Sequence, residues 1–290
     1  MKRSILPRMS QRAIAINVGA GVVMVAGFIS FMHSTFARPH FEVCSTRYHR
    51  LLTMKLDRDG VPLTPSDMQA VSNGQDEGLL DNLSIAQFNQ GPVKYAMGVK
   101  IAQDTVEQRS DRGIPGGISL PWMPSSLEQP AAACLTYNVF LPADFAFENG
   151  GTLPGLFGAT INGQYGDTPR FGANLAWHAG GVPRYYLEIK SEKDERSAAF
   201  KAYESKIPLG RWVRVDQELV LNTPDHADGI ARMWIDGRLE TEVKAVDIRP
   251  AANVAIAGVA GNIFFGGSAT QGKAPKDAII WLSPFEVRWN

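Results

Sequence analysis

The sequence predicts an all-β sandwich preceded by an N-terminal transmembrane or signal helix. Three observations carry that expectation. Long stretches of the C-terminal half alternate apolar and polar residues with period two, as half-buried strands do. The 290 residues include 28 Gly and 18 Pro, which suits the many tight turns of a sandwich. Residues 13–32, AIAINVGAGVVMVAGFISFM, carry no charge at all.

That apolar run is long enough, as a helix, to span about 30 Å, the thickness of a bilayer's hydrocarbon core. Residues 1–12 (MKRSILPRMSQR) hold four basic groups and no acid, which places the N-terminal tip in the cytoplasm. An uncleaved signal anchor over 1–37 is the favoured reading. A cleaved signal peptide competes with it, because Thr35-Phe36-Ala37 resembles a cleavage site. Both readings export residues 38–290, either held at the inner membrane on the periplasmic side or secreted.

Residues 38–56 are expected to continue as a short juxtamembrane helix, with His40 and His49 solvated rather than metal-bound. Residues 57–92, rich in Asp, Gly, Asn, Pro and Gln, read as a linker followed by the first short strands. The domains expected are therefore 1–37, 38–91 and a sandwich over 92–290. Within it, PVKYAMGVKIAQ (92–103) has strand character and residues 104–130 read as a long rim loop. Cys44 and Cys134 either close a loop as a disulfide or stand as two separate thiols.

The organising stretch runs from Cys134 to Lys190. Its alternation separates a core set containing Leu175 and Trp177 from an open-face set containing Asn174, His178, Arg184 and one of Tyr185 and Tyr186. Residues 191–208 are a charged run, either a helical excursion or a long hairpin. GRWVRVDQELVLN (210–222) alternates cleanly. ADGIARMWIDGRLETEV (227–243) is a hairpin around Asp236-Gly237. Trp177 and Trp234, in alternating strands among apolar neighbours, are expected to be buried.

Lys plus Arg and Asp plus Glu number 29 each, so no global field draws nucleic acid, which is not expected as a partner. The chain has no phosphate-cradling loop, dinucleotide fingerprint or metal-ligand motif, so neither cofactor nor metal is expected.

YNVFLPADFAFENGGTLPGLFG resembles the signature of polysaccharide lyase family 14, roughly Y-x-V-x-F-x-x-x-F-x-F-x-x-G-G-K-L-P-G-L-x-G. The GRWVRVDQELVLN and DGIARMWIDGRLE segments, and FFGGS with IIWLSPFEV, are similar to its later strands, so the resemblance covers about residues 92–290. It implies a jelly-roll (concanavalin-like) sandwich whose concave sheet holds a uronate polymer such as alginate or glucuronan, cleaved by β-elimination. The family's Lys falls on Thr152, its Ser-x-Arg on Gly172 and Asn174, and its Tyr-x-Tyr on Tyr186 and Glu188, with Tyr185 one step out of phase.

Candidate catalytic residues are His178 as base, Tyr186 as acid and Asn174 as carboxylate donor. Candidate substrate-binding residues are Arg184, Arg170, Tyr185, Thr152 and Lys190. The 150–158 turn and the 104–130 loop are expected to wall the groove. Two functions from different classes follow. One is a β-eliminating lyase acting on an acidic envelope polysaccharide. The other is a non-catalytic glycan-binding protein serving exopolysaccharide production or export.

Overall fold

The computed structural model describes residues 42–72, 74–88, 91–106, 116–147, 150–202, 206–266 and 272–290, together with Met24. The expected signal or anchor helix lies outside the described residues. No helix among those described is long and apolar enough to cross a membrane.

Two antiparallel sheets carry the domain. The larger is ordered Arg238–Val246, Gly229–Ile235, Trp212–Val220, Ala132–Phe140, Ala278–Leu282, Tyr95–Ile101, Leu83–Gln87. The smaller is ordered Glu195–Lys201, Pro183–Lys190, Arg170–Trp177, Gly151–Thr160, Val254–Ala260, Pro121–Trp122. Their inward side chains form one cluster, in which Val139, Val215 and Leu219 of the larger sheet join Leu153, Phe171, Leu175 and Trp177 of the smaller. Period-two alternation is the cause: each strand has one apolar face, and stacking two such faces removes both from water. Trp177 is fully buried here, edge-on to Phe145 and Phe265.

The Gly-Gly-x-Leu-Pro-Gly string has a packing reason. A Cβ on Gly151 would come within 2.2 Å of the Trp177 ring, and one on Gly155 within 1.9 Å of the Ala173 carbonyl oxygen. A bulge at Pro154 lets its carbonyl accept hydrogen bonds from Tyr137 Oη (3.1 Å) and Gln217 Nε2 (2.8 Å), which ties the two sheets together.

The structure departs from the sequence reading before residue 92. In place of a juxtamembrane helix there is one short 3-10 turn, Cys44–Thr46, followed by Arg50–Thr53, a strand paired with the final strand Glu286–Trp289. The segment expected as a linker adds Leu83–Gln87 to the larger sheet and belongs to the same compact unit as the sandwich.

Cys44 and Cys134 are disulfide-bonded. The bond straps residues 43–48 across the outer face of the larger sheet, where Arg47 and Tyr48 both bind Glu218, at 2.7 and 3.0 Å. Trp234 is buried under this strap with the two cysteines, not between the sheets, and the Arg47 guanidinium lies over its ring. Within the charged run, residues 191–202 take the hairpin alternative, giving the exposed edge strand Glu195–Lys201.

Candidate functional site

The site lies on the outer face of the smaller sheet, on three neighbouring strands: the glycine strand Gly151–Thr160, the asparagine strand Arg170–Trp177 and the tyrosine strand Pro183–Lys190. Residues directly opposite one another share a face, so the register writes the site as rows. Thr152, Ala176, Arg184 and Lys201 make one row. Gly155, Asn174, Tyr186 and Ala199 make the next. Phe157, Gly172, Glu188 and Ser197 make a third, and Arg170, Lys190 and Glu195 a fourth. Successive rows are two residues, about 6.6 Å, apart. His178 follows the asparagine strand beyond the first row, its backbone N–H bonded to the Val182 carbonyl.

The asparagine strand thus has the phase that its alternation predicts, with Leu175 and Trp177 in the core and Asn174 and His178 outside. Tyr186 sits directly across from Asn174. Tyr185 does not line this face. It pairs with Leu175, is fully buried in the core, and burial raises its phenol far above the ordinary range. Adjacent strand residues point to opposite sides, so only one of the two tyrosines can reach a ligand there.

Four polar atoms at the first rows are buried without a partner: Asn174 Oδ1, His178 Nε2, Arg184 Nε and Tyr186 Oη. Buried polar groups are normally satisfied, so a row of unsatisfied ones marks a place a ligand completes. Burial, and after it the Arg184 charge, holds His178 below the ordinary histidine range, so the ring is neutral at neutral pH. Neither Arg184 nor Lys201 has a carboxylate partner among the described residues. Thr152, 8% exposed, faces this end but carries no charge.

The far end is different. Arg170 lies 3.9 Å from Glu188, and its Nη1 donates to the Gly166 carbonyl and Thr168 Oγ1. Lys190 pairs with Glu195 at 2.9 Å. Both cations share the face with Tyr186, but their charge is spent locally. Among the described residues one cysteine–carboxylate group, Cys44, Cys134 and Asp216, lies close enough to ligate an ion, but its sulfurs are bonded to each other and offer no thiolate.

A family model for polysaccharide lyase 14 matches residues 89–285. The chain belongs to that family. Among solved structures it is similar to the PL-14 alginate lyase of the marine Aplysia kurodai, with a TM-score of 0.68, 20% identity, and 84% of this chain and 99% of that one covered. It is similar to an alginate lyase from a Chlorella virus, with a TM-score of 0.64 and 18% identity over 82% of this chain and 99% of the other. The endo-β-1,4-glucuronan lyase of the fungus Trichoderma reesei aligns at 0.52, with 10% identity over 76% and 89%. At these identities the likeness is one of fold. No curated protein matches.

Several residues of this family 14 chain reach the face without having been legible as site residues. Lys201, beside Arg184, lies in the charged run. Phe157 and Tyr165 meet edge-to-face at 4.8 Å and, with Ala159, Ala257 and Ala260, form an apolar patch on the outer face. Asn262 Nδ2 donates to Tyr165 Oη at 3.2 Å, and Asn262 Oδ1 accepts from Ser119 Oγ at 2.8 Å. Met123 of the expected rim loop borders this patch, whereas the 150–158 segment forms the sheet floor and not a wall. The one available sequence signal was Phe157, which alternates with Leu156 and so cannot share the core phase.

Proposed function

We propose that this chain binds a uronate-containing polysaccharide along the face and cleaves it by β-elimination. The observation that carries the reading is the set of four unpartnered buried atoms on one sheet face, next to two cations without carboxylate partners among the described residues. Arg184 and Lys201 attract and neutralise the uronate carboxylate, replacing the charge that Thr152 does not supply. Asn174 holds the ring by its amide. With the carboxylate neutralised, His178 Nε2 takes the proton from C5. The electron pair left there forms the C4–C5 double bond, the bond from C4 to the glycosidic oxygen breaks, and Tyr186 Oη gives its proton to that oxygen. The alginate and glucuronan lyases of similar fold support a uronate as the reacting sugar.

A second reading, binding without chemistry, is favoured by one observation: Thr152, Gly172 and Glu188 stand where the resemblance expects Lys, Ser and Tyr. The deciding experiment incubates the purified full chain with alginate and polyglucuronate and follows ultraviolet absorbance of the unsaturated product. Cleavage supports the lyase. Binding without product supports the alternative. Neither binding nor product overturns both.

The reading also places the domain outside the cytoplasm, anchored by residues 13–32. The basic tip before the apolar run supports this, and so does the disulfide, a bond that persists in oxidising compartments.

A further inference from the structure

The face is asymmetric in charge. At the Arg184 row neither cation has a carboxylate partner among the described residues, whereas near Gly172 Arg170 faces Glu188 and Lys190 pairs with Glu195. A cavity of about 190 Å³ opens over Gly172, lined by Phe157, Tyr165, Asn174, Glu188 and Asn262 among others. A Cβ on Gly172 would meet only Asn174 Nδ2, at 3.8 Å, so the floor is bare and the space above it empty.

The chemistry of this lining suits a ring without a carboxylate. Asn174 lines the pocket with its side-chain amide, whose Nδ2 is the atom nearest the floor, and an amide both donates to and accepts from sugar hydroxyls. Glu188 accepts hydroxyls and repels an acid. Arg170 cannot cancel that repulsion for a ligand, because it faces Glu188 and is held by Gly166 and Thr168. The edge-to-face pair of Phe157 and Tyr165 offers an apolar surface to the C–H face of a ring.

We propose that the pocket over Gly172 is a subsite for a neutral, hydroxyl-rich sugar next to the uronate held at Arg184. The groove then prefers a mixed chain over a polyuronate. Gly172 makes the room and Glu188 sets the selection. This proposal rests on the uronate reading for its neighbour, but the pocket itself is separately testable.

The test measures binding of the full chain by calorimetry, at one salt concentration, to three oligosaccharides of equal length. These are an alternating glucuronate–glucose chain, an oligoglucuronate and a β-linked glucan. The parent should prefer the alternating chain to oligoglucuronate by at least about tenfold, a difference of about 1.4 kcal/mol. Glu188→Gln should shrink that ratio toward one by strengthening oligoglucuronate. Gly172→Leu, whose side chain enters open space, should weaken the alternating chain while thermal unfolding stays that of the parent. Oligoglucuronate bound as well as the alternating chain, with no response to Glu188→Gln, overturns the subsite and leaves the uronate reading intact. Glucan bound in a Gly172-dependent way with no uronate chain bound overturns the uronate reading and keeps the subsite. Binding of none overturns both. If Gly172→Leu does not fold, the Glu188→Gln ratio alone decides.

Discussion

Replacing Tyr186 by Phe removes a single oxygen that has no partner in the folded protein. Tyr186 is 7% exposed, so its ring stays packed and only the hydroxyl's burial is relieved. An unsatisfied buried polar group costs about 1–3 kcal/mol, so Tyr186→Phe should be no less stable than the parent and up to about that much more stable. For a domain of this size each kcal/mol moves the unfolding midpoint by about 2–4 °C. Activity should move the other way. If Tyr186 protonates the leaving oxygen, its loss should lower kcat by about 10²–10⁴-fold, which corresponds to about 3–5 kcal/mol of barrier. Tyr185→Phe is the matched control. It deletes an equally unpartnered hydroxyl, one residue away, on the opposite side of the sheet. It should gain stability in the same range and leave cleavage unchanged. Thermal unfolding in the absence of polysaccharide, with the ultraviolet assay of unsaturated product, measures both quantities. A Tyr186→Phe protein that cleaves like the parent, or a Tyr185→Phe protein that does not, refutes the assignment of faces to roles.

Because burial and Arg184 hold His178 below the ordinary histidine value, its neutral form persists below about pH 6.5. Cleavage should rise with pH along an acid limb centred below that value and then level off. Arg184→Ala should move the limb to higher pH and weaken a salt-sensitive affinity, whereas an unmoved limb would remove His178 as base. Breaking the Cys44–Cys134 bond by a Cys→Ser pair should cost about 4–5 kcal/mol for a loop closed over 90 residues, read by denaturant unfolding. A loss below about 1 kcal/mol would show that the strap holds by its ion pairs instead. A phosphatase fused after residue 60 should be active if the chain is exported, and an inactive fusion beside a working cytoplasmic reporter counts against the topology.

How much was legible depends on the range of the interaction. Alternation is a local property, written in consecutive residues, so it assigned Leu175 and Trp177 to the core and Asn174 and His178 to the outer face without any partner strand. The Asp236-Gly237 turn was legible for the same reason, its two residues taking the positive φ angles of 49° and 76° that such a turn needs. The choice between Tyr185 and Tyr186 was not local. Both alternate with acceptable neighbours, and only the pairing of Asn174 with Tyr186 set the phase. The segment from residue 57 to 91 resembled a linker because its strands are two to five residues long and separated by turn formers. Arg50–Thr53 becomes a strand only because the chain's last residues return to pair with it.

By itself the sequence determined that the strands of the C-terminal half exist and which side of each is apolar. Those are consequences of the two-residue repeat, and they hold wherever the strand ends up. Tertiary structure alone decided that Cys44 meets Cys134, that Lys201 stands beside Arg184, and that Tyr165 and Asn262, 97 residues apart, close one end of the groove. It also decided that Arg170 and Lys190 have their charge answered by acids, while Arg184 and Lys201 have no such partner among the described residues. A charge pattern of zero sum cannot be divided into matched and unmatched cations until strand register sets the distances, because electrostatic attraction depends on separation and burial and not on composition.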